Sequence, residues 1–510
     1  MNVLDKLLKA VSPEKALKRQ VARRKMEILN SGYSYHGASK TKKSLLGWIS
    51  NGGSPKEDIT DNLKTLRERS RDLYMGVPLA TGALKTCRTN IVGSGLKLKA
   101  QIDSDILGIS DEDAAQWESN VEREFSLWSD TVNCDVERLN NFYELQQLAF
   151  LNWILSGDCF VLMPIIPRIN ESYDLRIQLI ESDRVSTPDS RKSGVTIEGG
   201  VEVAKNGEVT AYHIMQSHPL STETLKREWV RVEAFGSKTG RRNVLHLMES
   251  ERIGQKRGVP ILAPVIESLK QLGRYTEAEL MAAVVSGMYT VFIETKDSGT
   301  DPPLGSAIPE DEQLDIDDED SYELGNGAMI SLAEGETVKE ANPGRPNTAF
   351  DGFVTSICRQ IGSALELPYE LLVKQFEASY SASRASLLEA WKMFRMRRTW
   401  LASDFCQPVY EEWLCEAVAK GRVDAPGFFD DPLIRKAYCG CEWNGPSQGQ
   451  IDPLKEVTAA SKRVQEGFST RAKETAELTG GDFFKNIKQR IREENTMKEG
   501  GLIESGKAGN

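Results

Sequence analysis

The sequence predicts an α+β protein built from several parts, and three observations carry that expectation. Short apolar runs between Cys159 and Met248 are divided by Gly, Pro, Ser and Asn, the pattern of turn-linked strands. Two amphipathic stretches, 262–288 and 350–367, have helical spacing and flank an acidic, proline-bearing insertion. A third helical stretch, 383–420, carries an apolar stripe of Leu387, Trp391, Phe394, Leu401, Phe405, Trp413 and Leu414. At 510 residues the chain has room for roughly three domains of about 150 residues. Hydrophobic residues at 40% and charged residues at 27% give a globular composition.

From the N-terminus, residues 1–43 hold eleven Lys or Arg against Asp5, Glu14 and Glu27. That arm carries +8, which leaves −19 on the remainder of a chain whose formal charge is −11. Such an arm reads as a solvated tail, or as a polybasic contact for DNA, scaffold or an acidic neighbour. Past Gly52-Gly53-Ser54-Pro55 a helix is expected over 61–75, and beyond Pro78 a second one stopped by Gly93-Ser94-Gly95. Helices over 117–128 and 143–156 lead into a strand-like run at 159–166, with further strands expected at 175–180, 207–215 and 244–248. In the long helix from Leu262, Val265, Leu269, Leu272, Leu280, Val284 and Met288 recur near helical spacing. Residues 301–323 then hold ten Asp or Glu and no Lys or Arg, and Pro302, Pro303 and Pro309 break any helix there. The helix from Phe350 sets Phe353, Ile357, Ile361 and Leu365 on one face and must stop at Leu367-Pro368. Residues 373–383, rich in Ala and Ser, read as an exposed loop, and Pro408 should kink the helix that follows. The last sixty residues read as charged helices broken at Gly480-Gly481, ending in a polar tail.

The residue pattern supports few kinds of chemistry. An NTP motor needs a Gly-rich loop ending in Lys and Ser or Thr, so that backbone N–H groups and the Lys neutralise phosphate. The nearest stretch, Gly236-Ser237-Lys238-Thr239-Gly240-Arg241, has the wrong order and reads as a turn between strands. With only His36, His213, His218 and His246, neither HExxH nor a GxSxG elbow is available, and His213 and His246 are expected to be hydrogen-bonded structural groups in strands. The eight cysteines show no CxxC spacing, so reduced thiols are expected and the close pair Cys439 and Cys441 reads as packing. Asp315, Asp317, Asp318 and Asp320 could hold a divalent cation, yet an EF-hand needs Gly and Glu where Asp320 and Asn326 stand. A solvated acidic loop, or a docking surface for a basic partner, is the reading; a metal-dependent nucleic-acid-processing enzyme using 315–320 is the alternative. No cofactor is expected. The longest nearly apolar run, 281–293, falls short of the ~20 residues a membrane span needs. Lys6, Lys9, Lys15 and Lys18 interrupt any secretory leader.

Several segments, in a common order, resemble the lambda-type family of tailed-bacteriophage portal proteins over about 59–494. They are 66–73 (LRERSRDL), Pro78-Leu79-Ala80, 91–96 (IVGSGL), Gly200-Val201-Glu202 through Ala211-Tyr212-His213-Ile214, His218-Pro219, 244–247 (VLHL), 255–260 (QKRGVP), Leu367-Pro368-Tyr369-Glu370 and 380–385 (YSASRA). Ala382 and Val203 depart from the family, which often has Ser and an acidic residue at these places. The resemblance implies a non-enzymatic subunit of a dodecameric ring at the capsid vertex of a virion, assembled in the host bacterial cytoplasm. Its wing, stem, clip and crown would surround an axial channel for DNA packaging and ejection. Mapped onto this chain, it implies a basic arm at 1–58, a wing at 59–260, a stem helix at 261–293, a clip at 294–347 and a second stem helix at 348–368. A tunnel loop at 369–383, a wing return helix at 384–445 and a crown with C-terminal tail at 446–510 would follow. Lys374, Ser379, Tyr380, Ser381, Ser383 and Arg384 would line the channel, and Asp315, Asp317, Asp318 and Asp320 would dock partners. The implied partners are further copies of the chain, double-stranded DNA met without sequence specificity, a terminase packaging ATPase, head-completion or adaptor proteins, and a major capsid or scaffolding protein, with no membrane. An acidic ring wall suits this, because it offers phosphates few sticky contacts.

Overall fold

The computed structural model describes residues 52–189, 194–222, 227–287, 291–295, 336–340, 349–376, 379–449, 452–500 and 502, with isolated positions before residue 52. The chain divides into two units, Met1–Ser54 and Pro55–Asn510. In the first, Glu14 and Lys18 form an exposed pair one helical turn apart, at 3.0 Å.

The second unit is mixed helix and sheet. It opens with α1 (Leu63–Gly76) and α2 (Pro78–Ile91), split at Val77. Val77 is extended because a following proline disfavours helical backbone, and Pro78 then takes a first-turn position where its missing N–H costs nothing. Past α2, Gly93 turns left-handed with φ of 58°. After β1 (Lys97–Ala100) come α3 (Asp111–Ser129) and α4 (Phe142–Ser156). The Ser110 hydroxyl caps α3, and Asn141 with Glu144 forms a capping box on α4.

The strands follow as β2 (Asp158–Leu162), β3 (Gln178–Ile180), β4 (Thr196–Glu198), β5 (Val201–Val203), β6 (Val209–Met215), β7 (Trp229–Glu233) and β8 (Val244–Met248). β2 lies between β3 and β8 in one antiparallel sheet, and β4 to β7 form a second in sequence order. Phe160, Ile180, Val185, Val201, Tyr212, Ile214, Ala234 and Val244 make a small core there. The strand expected at 175–180 keeps only its last three residues, because Leu175 and Ile177 make single bridges to Ile165 and Asp135 instead.

The helical layout then appears as expected, with additions. α5 (Ile266–Gly287) meets α6 (Phe350–Ala364) where Tyr275 stacks on Phe350 at 5.6 Å and meets Phe353 edge-on at 5.1 Å. Between them β9 (Val291–Thr295) pairs antiparallel with β10 (Glu336–Glu340), so the insertion leaves and returns through a ladder. Its acidic stretch 301–323, with Asp315, Asp317, Asp318 and Asp320, lies outside the described residues. α7 (Tyr369–Val373) and α8 (Tyr380–Leu401) come next, then a π turn at Ala402–Cys406 and α9 (Gln407–Ala419). The π turn is the form the expected kink takes: Pro408 crowds the carbonyl one turn earlier, and a widened turn relieves it.

α10 (Pro432–Tyr438) leads to β11 (Cys441–Asn444), which pairs with β1 from Lys97 opposite Asn444 to Ala100 opposite Cys441. This ladder closes the main core. Phe125 of α3 meets Phe142, Tyr410, Trp413 and Trp443 edge-on at 5.8, 5.8, 5.0 and 6.2 Å, so aromatic packing joins segments from both ends of the unit. α11 (Pro453–Gln465), α12 (Arg471–Thr479) and α13 (Phe483–Glu499) complete the order, capped by Asp452, Thr470 and Asp482. Among the described residues no helix is long and apolar enough to cross a membrane.

Candidate functional site

The stretch from α6 to α8 is where six of the ten candidate residues fall. α6 ends as the Leu367 N–H donates back to the Gly362 carbonyl at 2.8 Å, and Pro368 precedes α7. α7 lasts five residues and closes on Lys374, which is exposed and left-handed at φ 58°. The expected loop at 373–383 is shorter than its sequence suggests. Tyr380, Ser381, Ser383 and Arg384 belong to α8, and the Ser383 N–H donates to the carbonyl of Ser379, the residue before the helix, at 2.9 Å. Small Ala and Ser side chains suggested a loop, but Ala is the strongest helix former and no Gly or Pro interrupts 379–401. Ser379 and Ser381 are exposed and Ser383 half-buried; the Tyr380 side chain and Ala378 lie outside the described residues.

Three arginines tie α8 down, Arg398 by donating to the Asn90, Ile91 and Pro446 carbonyls at 2.8, 3.0 and 2.9 Å. Arg384 Nη1 donates to Glu456 Oε1 of α11 at 2.9 Å. Arg397 is buried; its Nη2 donates to Glu366 Oε2 at 3.0 Å, and its Nε stands 3.6 Å from Glu249. Burial pushes the Glu249 carboxyl above its usual range, against the pull of Arg397. Beside this joint is an open groove of about 540 Å³ whose lining includes Arg359, Glu366, Tyr369, Lys392, Met393 and Met396. The Arg359 guanidinium sits 5.6 Å over the Tyr369 ring.

The other chemical candidates among the described residues make packing and hydrogen-bond contacts. Gly236 to Arg241 is a turn between β7 and β8, with the Gly236 N–H donating to the Arg241 carbonyl at 2.7 Å. His213 Nε2 lies 3.0 Å from Glu202, whose carboxyl is held down at about 2, first by hydrogen bonds from Arg231. His246 stacks on Phe160 at 4.2 Å, and burial holds its imidazole below the usual range. The thiol of Cys87 is pushed up to about 11 by burial, and those of Cys159 and Cys441 to about 12, which suits packing rather than nucleophilic attack. Cys441 Sγ donates to Gln407 Oε1 at 2.8 Å. Among the described residues, Glu181, Asp183 and His218 have donor atoms close enough to share a cation. Arg71 already stands there, paired with Asp183 and 3.4 Å from Glu181.

Sequence reasoning missed the centre of the 59–260 region. Asp158, at the head of β2, is completely buried and accepts from Arg257 Nε at 2.6 Å, from Arg67 Nη2 at 3.2 Å and from the Gly258 N–H at 3.1 Å. Arg257 also donates to the Ser182 and Val185 carbonyls, each at 2.7 Å, and to the Gly199 carbonyl. Burial alone would raise the Asp158 carboxyl, but Arg257 and then Arg67 hold it well below the usual carboxylate range. A Cβ on Gly258 would stand 1.8 Å from the Gly157 carbonyl oxygen, so this crossing admits only glycine. The run QKRG at 255–258 therefore reads as one device. Gln255 accepts from the Glu251 and Arg252 N–H groups at 3.0 and 3.1 Å, Arg257 neutralises Asp158, and Gly258 permits the approach.

The family described as "Phage portal protein, lambda family" matches residues 41–398. The chain belongs to the lambda family of phage portal proteins. Portal protein B of Escherichia phage lambda is 27% identical over 495 residues, covering 94% of this chain and 92% of the relative. The portal protein of Escherichia phage N15 is 25% identical over 486 residues, covering 92% and 91%. Among solved structures, "Neck of empty GTA particle computed with C6 symmetry" aligns with a TM-score of 0.46 and 12% identity, over 82% of this chain and 94% of that one. "Neck of native GTA particle computed with C12 symmetry" aligns at 0.43 and 14%, over 82% and 93%. The family match spans the Asp158 cluster and the α6 to α8 stretch, and ends at Arg398.

Proposed function

We propose that this portal protein assembles as a closed ring, twelve-fold in the virion, at one capsid vertex, and that DNA enters and leaves through its axis. The observation that carries this reading is the family match over 41–398. The layout of that stretch supports it: paired helices α5 and α6, a ladder-bounded insertion between them, and then a sharp exit at Leu367-Pro368. In this reading α5 and α6 form the stem, 294–347 the clip, and 446–510 the crown. Lys374, Ser379, Tyr380, Ser381 and Ser383 face the channel, where they touch DNA without reading its sequence. Arg384 flanks them as a further cation at this end of α8, its charge shared with Glu456 at 2.9 Å.

Force comes from a separate packaging ATPase docked at the clip, where Asp315, Asp317, Asp318 and Asp320 attract a basic surface. Head-completion, capsid or scaffolding proteins are the further partners. The protein itself supplies positioning rather than catalysis. The alternative, a metal-dependent nucleic-acid-processing enzyme using 315–320, predicts an activity instead of an assembly. Native mass spectrometry and negative-stain microscopy of the purified chain separate the two. Closed rings with cyclic symmetry are expected, whereas a monomer at micromolar concentration that cleaves DNA with a divalent cation would overturn the ring reading.

A further inference from the structure

The helices α11 to α13 are joined to the rest of the unit in an unusual way. Between 452 and 500 only Ala460 and Glu474 are buried, while Leu454, Val457, Phe468, Phe484 and Ile491 stay more than half exposed. An apolar core therefore does little to hold this segment. Ion pairs span the junction instead. Arg384 of α8 meets Glu456 of α11 at 2.9 Å, and Arg395 of α8 stands 3.9 Å from Glu477 of α12. Lys99 of β1 bridges Glu122 of α3 at 3.0 Å and Asp482, the cap of α13, at 3.2 Å. Lys485 of α13 reaches the same Glu122 at 3.2 Å. Within the segment, Arg463 and Glu474 bind α11 to α12 at 2.6 Å, so it holds together while its outer contacts are charged.

The space under the segment agrees. A cleft of about 750 Å³ separates the two sides, lined by Arg395, Arg398 and Trp443 from one and Lys473, Asp482 and Phe484 from the other. Three of the four spanning contacts put the cation on the body and the carboxylate on the helices: Arg384 with Glu456, Arg395 with Glu477, and Lys99 with Asp482. Arg384, Arg395 and Lys485 keep side chains 40%, 55% and 71% exposed, while Lys99 with Asp482 is more sheltered at 26% and 17%; pairs that water reaches on one side are screened by salt, whereas buried apolar contact is not.

We propose that α11 to α13 form a strap held to α8 and β1 by an electrostatic clasp, that the clasp opens when its charges are screened, and that Arg384 with Glu456 transmits the opening to the start of α8. Arg384 lies one turn into that helix, five residues past Ser379, so losing Glu456 removes the tie between α11 and the first turn of α8. This device rests on contacts within one chain and does not depend on the channel reading.

Hydrogen exchange of the intact assembled protein, followed by mass spectrometry, tests it. Raising salt from about 0.1 M to about 1 M shrinks the screening length from about 10 Å to about 3 Å. Exchange at 380–388 and 453–465 should then quicken about tenfold, while α4, deep in the core, stays unchanged. Glu456→Lys should give the fast exchange at low salt, and the swap Arg384→Glu with Glu456→Lys should restore protection. Glu456→Gln, which removes the charge without reversing it, should behave as the single reversal does and guards against a folding defect in Glu456→Lys. Salt-insensitive exchange at both segments, or a swap that fails to restore what Glu456→Gln and Glu456→Lys lose, overturns the clasp.

Discussion

Asp158 and Glu456 each accept from an arginine, at 2.6 Å from Arg257 and 2.9 Å from Arg384, yet the two pairs sit in opposite surroundings. Asp158 is wholly buried and has further donors in Arg67 and Gly258. Glu456 is 15% exposed and its partner Arg384 40%, so water reaches this pair from the arginine side. Distance does not separate these pairs; the water around them does. A buried charge that loses its partner is stranded, and an exposed one is rehydrated. The first cluster therefore fixes β2 to its neighbours, and the second gives a joint that can open.

The largest effect expected from this contrast follows removal of Asp158. Asp158→Asn leaves the Arg257 guanidinium in the interior without its counter-charge and Arg67 with only Asp183 at 3.8 Å, at a cost of about 3–5 kcal/mol. Denaturant unfolding should show an early transition for this variant, followed best by exchange at β2 and β8; an unchanged midpoint would remove Asp158 from its central role. Acid should mimic the substitution. Because the folded carboxyl is held well below its usual range, its contribution is present above about pH 4 and fades as pH falls toward the folded value. Asp158→Asn should therefore lose less further stability than the parent chain below about pH 4.

Arg397 stands between the two extremes. It is buried, like Arg257, but its partners Glu366 and Glu249 have side chains 52% and 36% exposed. Among the described residues its Nε and Nη1 are buried without a hydrogen-bond partner. Arg397→Met removes the buried charge and leaves two carboxylates that water can reach, so the change in stability should stay within about 1 kcal/mol in either direction. A thermal melt that falls as far as that of Asp158→Asn would show that burial of one partner alone decides the outcome.

The sequence showed the helices and the exposed turns more clearly than the charge clusters. α1, α4 and β8 lie within two residues of their expected bounds because periodicity and caps are local signals, whereas α3 begins six residues before the expected 117, at the acidic turn that Ser110 caps. β1 and β11 were missed: Lys97 to Ala100 reads as a charged stretch, and its partner lies beyond residue 440. Asp158 was hidden for a similar reason, since Arg257 comes 99 positions later. The signal that remained was a lone carboxylate at the head of an apolar run, together with an arginine and glycine in sequence at 257 and 258. At α8 the misreading was local, because Ala and Ser are small enough for a loop and good enough for a helix.

That correction turns the channel test into the smallest perturbation of the set. Replacing Ser379, Ser381 and Ser383 together by Glu adds three negative charges at the amino end of α8, where the helix dipole favours them by about 0.3–1 kcal/mol each. Ser379 makes no side-chain capping bond in this structure, so no capping bond of that residue is lost. The fold and the ring should therefore survive with a melting temperature equal to or slightly above that of the parent, unlike Asp158→Asn. If this end of α8 faces DNA, the same charges repel phosphate at short range, and particles carrying the triple substitution should package less DNA or fail to retain it. Counting filled and empty particles by electron microscopy, with rings verified separately, reads the effect without confusing it with instability. Normal filling and retention in such particles would place the constriction elsewhere, and because the substitution stabilises the helix it occupies, that result would bear on the channel alone.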